Sequence, residues 1–299
     1  MTTAPTPCAR ASEPRARRTG GPGQRGISLV EIMVAMAIGL VIVLIATTVY
    51  TQGVSNFSFR TGQSENLGNS RYALDTIEAA FTKAGYRRDP TQNMKFAFPA
   101  NATAYKNGCQ FAAGEAIKVP SAGVLCIRFQ ARDKDEKDCA GTAAGINSLA
   151  AYEAPPAPAI GAGMFVEKYF VATTSNEKSL VCLSGDQDKD TEAGTPVADR
   201  VSDVLFEYGV GKAPVDDDSM AERKVESYKT TVPAADEVVR SLRYSLLFSS
   251  TAGGLSSVAE SSVCDRWAAL GGAKANCDLA KGQLYQVASG SLMLRNLMP

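Results

Sequence analysis

A chain of 299 residues, 45% of them hydrophobic, is long enough to bury a core in one domain or at most two, which excludes a disordered polymer. Basic and acidic side chains number 31 each, so the basic surplus that selects phosphate backbones is missing and nucleic acid is not an expected partner. Histidine is absent, which removes His-based triads, His-Glu-x-x-His metal sites and imidazole acid–base chemistry.

The charge is unevenly placed. Residues 1–26 hold five arginines (Arg10, Arg15, Arg17, Arg18, Arg25) against Glu13, a charge of +4, which leaves 26 basic and 30 acidic residues beyond them. A basic flank ahead of an apolar run stays cytoplasmic and sends the chain beyond that run across the membrane. Such a run comes next, within Arg25–Tyr50, RGISLVEIMVAMAIGLVIVLIATTVY; no charge occurs between Glu31 and Arg60. Its strongly apolar part, about 20 residues, matches the hydrocarbon thickness of a bilayer. A cleaved secretory signal would end in an A-x-A-like site, and LIATTVYTQG contains none. In a plain anchor Glu31 would cost about 2–3 kcal/mol toward the bilayer centre and less near the interface, so a carboxylate kept there marks a function.

The stretch Gly26-Ile27-Ser28-Leu29-Val30-Glu31 resembles the processing site of type IV pilins and pseudopilins. There a Gly precedes the cut, an apolar residue becomes the new N-terminus, and Glu is fifth after the cut. The resemblance implies that a prepilin peptidase cuts between Gly26 and Ile27 and methylates the new amine. The helix would be an anchor before assembly and filament core afterwards. Glu31 would pair with the amine of Ile27 on a neighbouring subunit and set axial register, as buried polar groups can. The Pro/Gly-rich leader is longer than is usual in that family.

No proline lies between Pro22 and Pro90, so one helix can continue beyond the membrane to about residue 85. Leu67, Leu74, Ile77 and Phe81, with Ala73, Ala80 and Ala84, recur at helical spacing and predict a core-facing stripe, and Gly85 is the expected stop. Residues 88–197 read as loop-rich, with strands at Gly123–Gln130, Met164–Thr173 and Ser179–Ser184. Three period-two segments come after them, at 200–210, 238–250 and 282–296. In the second, Val238, Leu242, Tyr244, Leu246 and Phe248 predict a buried face, and Ser241, Arg243, Ser245 and Ser249 a solvated one.

The order VSDVLFEYGV, VRSLRYSLL and a closing LRN, with AFTKAGYRR at the helix end, is similar to PilW-type minor pilins. That resemblance implies an α+β, pilin-like fold, a long N-terminal helix packed on an antiparallel β-sheet with disulfide-bonded loops, and a structural subunit without catalysis or cofactor. The implied organisation is a leader at 1–26, a transmembrane and filament-core half-helix at 27–52, and a periplasmic or extracellular domain at 53–299. Implied partners are other minor pilins and the major pilin, the prepilin peptidase, an inner-membrane assembly platform and, before assembly, membrane lipid. The location would be the bacterial inner membrane and then the pilus surface.

Six cysteines lie beyond the apolar run, an even number on the translocated side, and Cys8 lies in the leader. The expected pairs are Cys109 with Cys126, Cys139 with Cys182, and Cys264 with Cys277; no C-x-x-C spacing supports a metal. Asp186, Asp188 and Asp190 have the alternate spacing of a calcium loop, but Thr191 stands where Gly is required and Val197 where a bidentate Glu is required, so a solvated loop is the plainer reading. Asp216–Asp218 and the mixed-sign run Arg132–Asp138 read as exposed charge. Asn101-Ala102-Thr103 fits a glycosylation sequon, to which nothing is attached. Three other readings compete with the minor subunit: a tip adhesin using residues 90–200, a pseudopilin of type II secretion, and an anchored enzyme, which lacks any catalytic motif.

Overall fold

The computed structural model describes residues 26–150, 152–174, 177–212, 224–231, 233–234, 236–251, 260–277 and 282–298. Residues 1–25 of the leader and Asp216–Asp218 lie outside the described residues. The chain divides into two compact units, with the boundary between Gly53 and Val54.

The described part of the first unit is helical and holds the N-terminal half of a helix whose remainder belongs to the second. Helix α1, Leu29–Phe81, opens after the irregular Gly26–Ser28, and the Ser28 carbonyl accepts from the amides of Glu31 and Ile32 at 3.0 and 3.2 Å. Nothing in the run breaks the ladder, and its three threonines bond back onto it. The hydroxyls of Thr47, Thr48 and Thr51 donate to the carbonyls of Val43, Ile45 and Thr48 at 2.7, 2.8 and 3.0 Å. Bonded back onto the helix, they need no water.

The second unit is α+β. After α1 come α2 (Met94–Ala97), β1 (Ile117–Ser121), β2 (Val124–Gln130), β3 (Met164–Thr174), β4 (Glu177–Ser184) and β5 (Thr195–Asp199). Then come β6 (Val201–Lys212), β7 (Ser227–Lys229), β8 (Glu237–Ser249), α3 (Glu260–Ala269) and β9 (Tyr285–Met293). The single sheet expected from the sequence is in fact two antiparallel sheets, one in the order β1-β2-β3-β4-β5 and one in the order β7-β6-β8-β9. They part at Arg200, a non-glycine residue at φ 59° whose carbonyl accepts from the Ser249 amide at 3.0 Å and whose guanidinium meets Glu177 at 2.8 Å. The region 88–197 is likewise less loop-rich than its turn residues suggest, because β1–β5 run through it.

Helix α1 joins both sheets through Phe81, whose ring meets Tyr169 of β3, Phe206 of β6 and Tyr244 of β8 edge-on at centroid distances of 5.0, 6.0 and 5.9 Å. Its buried stripe is Gly62, Asn66, Ser70, Ala73, Ile77 and Phe81. This corrects the expected face: Leu67 is 44% exposed, and Leu74 and Ala80 are only partly buried. Small and polar residues take the buried positions because the helix approaches backbone there, and the Asn66 amide donates to the Leu284 carbonyl at 2.9 Å. Gly85 has φ 73°, and a Cβ there would fall 2.3 Å from Leu297, so glycine is required on both counts.

Strand β8 buries Leu242, Tyr244, Leu246 and Phe248, but its opposite face is not solvated throughout. Leu247 is covered by α3 in a second small core with Cys264, Trp267, Cys277 and Tyr285, and the Trp267 indole donates to Asp203 at 3.1 Å. Ser241 is buried beneath Tyr228, hydroxyl to hydroxyl at 3.1 Å, and the Arg243 guanidinium lies 4.0 Å from that ring. Ser249 is buried as well.

Candidate processing and assembly site

Gly26, Ile27 and Ser28 are exposed and in no regular structure, and no atom lies within 4 Å of where a Gly26 Cβ would sit. A protease needs an extended, uncovered segment, and this one is uncovered on both sides of the Gly26–Ile27 bond. Glu31 stands exposed in the first turn of α1, where the partial positive charge of unsatisfied amides favours a carboxylate. From Ile27 to Tyr50 every large apolar side chain is exposed, including Leu40 at 66% and Leu44 at 65%. At about 25 cal/mol per Å² such a surface cannot remain in water and must be covered by lipid or by other helices.

The six cysteines of the second unit form three disulfides. Cys109 bonds Cys126, Cys139 bonds Cys182 and Cys264 bonds Cys277, with Cα separations of 6.0, 6.2 and 5.6 Å. The first ties the loop before β1 to β2, the second ties the loop after β2 to β4, and the third closes the cap that α3 places over β8. The carboxylates of Asp186, Asp188 and Asp190 do not converge on a common point among the described residues. Asp188 accepts from the Asp190 amide at 2.9 Å, and Asp190 pairs with Lys189 at 2.7 Å. The run 132–138 pairs largely within itself, Arg132 with Asp133 and Lys134 with Asp135, both at 2.9 Å; Glu136 reaches Lys83 at 3.1 Å. Asn101 ties its own loop, accepting from the Phe111 amide at 2.7 Å and donating to the Thr103 carbonyl at 2.8 Å.

Three groups that composition alone conceals organise the second unit. Arg128, fully buried in β2, donates to the carbonyls of Pro99, Phe98, Ala112 and Glu115 and lies 4.6 Å from the Phe111 ring; burial lowers its pKa to about 10. Arg88, also buried, donates to the carbonyls of Glu153, Ala131, Arg132 and Ala150. Glu167 is buried next to the Cys139–Cys182 bridge, accepting from the Cys139 amide at 2.8 Å and from the Tyr169 hydroxyl. Burial pushes its carboxyl above the ordinary range, and the Tyr169 bond, the Cys139 amide and the charge of Lys83 oppose that shift. Cys139, Cys182 and Glu167 lie close enough to hold a metal, but both sulfurs are committed to the disulfide. A charge pattern read from sequence places arginine and glutamate at the surface, so none of these three was recoverable from it.

Residues 21–47 match the family model of the prokaryotic N-terminal methylation motif. Gly26, Ile27 and Glu31 lie inside the matched span. No curated protein sequence matches the chain. Among solved structures it is similar to a type IV-like pilin from Thermus thermophilus, at 11% identity and a TM-score of 0.38, over 79% of this chain and 98% of that one.

Proposed function

We propose that this chain is a minor subunit of a type IV pilus, of PilW type, made as a membrane-anchored prepilin and matured by cleavage between Gly26 and Ile27. The observation that carries the reading is the arrangement at the head of α1: an uncovered Gly26–Ile27 bond, a carboxylate four residues further on, and an apolar helical surface with no partner among the described residues of its own unit. In the membrane that surface faces lipid. In the filament it faces the helices of other subunits, and Glu31 meets the methylated amine of a neighbouring chain. Because an ion pair removed from water is strongly destabilised when one partner is missing, mispairing by one helical turn is rejected and the register becomes unique. The second unit contacts the other minor pilins and the major pilin, and the motor chemistry belongs to separate proteins.

Intact mass of the full chain expressed with and without a prepilin peptidase tests the first step. The expected product has lost residues 1–26 and gained one methyl group; an uncut chain, under conditions that process a known prepilin, overturns the reading. Glu31→Ala is expected to leave the cut unchanged and to reduce incorporation into pili, counted by immunogold labelling. A minor role predicts that deleting the gene lowers pilus number while leaving filament diameter unchanged.

A further inference from the structure

We infer that the second unit carries a shallow carbohydrate-binding site centred on Tyr152, an inference that does not depend on the pilus reading. Tyr152 and Arg200 are the two non-glycine residues with positive φ among the described residues, at 63° and 59°. Arg200 has a structural account in the turn between the two sheets. Tyr152 does not, since its ring is 77% exposed and helps line a depression instead of packing in the core.

The backbone around it is tightly held. The Glu153 amide donates to the Ala150 carbonyl at 3.2 Å, and the Glu153 carboxylate accepts from the Ala150 amide at 2.8 Å, closing a turn in which Tyr152 takes the position that glycine or asparagine normally fills. Buried Arg88 then grips both flanks, donating to the Glu153 carbonyl at 2.8 Å and the Ala150 carbonyl at 2.6 Å. A disfavoured conformation kept in this way, with the side chain in solvent, is what a preorganised binding group requires.

The lining of the depression selects the ligand class. It consists of Tyr86, Arg88, Arg132, Asp133 and Tyr152. The Arg88 guanidinium is engaged by four carbonyls, and Arg132 is paired with Asp133 at 2.9 Å, so both guanidiniums of the lining are already bonded to oxygens and held in place. There remains an aromatic surface next to a fixed donor–acceptor pair. The apolar face of a pyranose lies against a ring, and its vicinal hydroxyls can accept from a guanidinium and donate to a carboxylate. The depression, lined by two arginines and an aspartate, is too polar to bury an apolar helix or a long aliphatic chain.

Saturation-transfer NMR on the full-length protein, held in a phosphocholine detergent free of sugar headgroups, tests this with methyl glycosides of glucose, galactose, mannose and N-acetylglucosamine. The expected result is transfer concentrated on the protons of one pyranose face. Tyr152→Gly suits the positive φ, so this variant should melt no lower than the natural protein while binding roughly tenfold or more weakly. Tyr152→Phe, which keeps the ring, should retain binding. The inference is overturned if none of the four glycosides receives transfer from the natural protein, or if transfer is unchanged in Tyr152→Gly.

Discussion

The two units solve the burial of apolar surface in opposite ways. The second is complete in itself: two sheets and a helix share a core around Phe81, three disulfides tie its loops, and the buried guanidiniums of Arg88 and Arg128 are matched to carbonyls. The first has no core among its described residues, and its large apolar side chains are exposed from Ile27 to Tyr50. One unit can therefore be changed by ordinary stability rules, whereas the other can be understood only through the lipid or helices that cover it.

That contrast can be broken at several points in the second unit, by changes that should all leave cleavage at Gly26 unaffected. The largest expected effect is Phe81→Ala, which removes the ring shared by β3, β6 and β8 and should destabilise the second unit by up to about 5 kcal/mol in denaturant titration of the full chain. Replacing Cys139 and Cys182 together by alanine opens a bridge across a sequence separation of 43 and should cost about 4 kcal/mol by the same measurement. If either variant also blocked processing by the peptidase, the units would not be independent.

Glu167 sharpens the contrast through pH. Its carboxyl in the folded chain holds a proton more tightly than in the unfolded chain, so stability is greatest below the ordinary carboxylate range and falls as pH rises toward the folded value. The slope has a ceiling of about 1.4 kcal/mol per pH unit. Glu167→Gln, which keeps an acceptor for the Cys139 amide, should flatten that slope; an unchanged profile between pH 4 and 8 would assign the effect elsewhere. The smallest expected effect is a gain. The buried Tyr208 hydroxyl has no partner among the described residues, so Tyr208→Phe should stabilise the second unit by about 1 kcal/mol in thermal unfolding.

Legibility in the sequence tracks the range of the physics involved. The anchor and its Gly26–Glu31 head are local, because a continuous apolar run and a short motif need no tertiary information. Strands β2, β3, β4, β6 and β8 were readable from alternation or apolar runs, and β9 from its pattern near the C-terminus. The buried face of α1 is displaced because Asn66 reaches the Leu284 carbonyl, while Leu67, the more apolar residue, faces outward. No local pattern encodes the cover from α3, because Trp267 and Leu247 meet only after the chain has returned over the sheet. The roles of Arg88 and Arg128 depend on carbonyls from several separate segments, which no periodicity encodes.

The manner in which those two arginines hold their loops has an evolutionary consequence. A guanidinium that grips main-chain oxygens recognises a feature that every amino acid presents, whatever its side chain. Segments 98–115 and 131–153 can therefore exchange their outward-facing residues, and with them the surface shown to the environment, while their attachment to the rest of the second unit persists. Natural variants of this chain are expected to diversify there first and to keep Arg88 and Arg128, since lysine at either place offers a compact ammonium in place of a planar fork and could not gather four carbonyls at once.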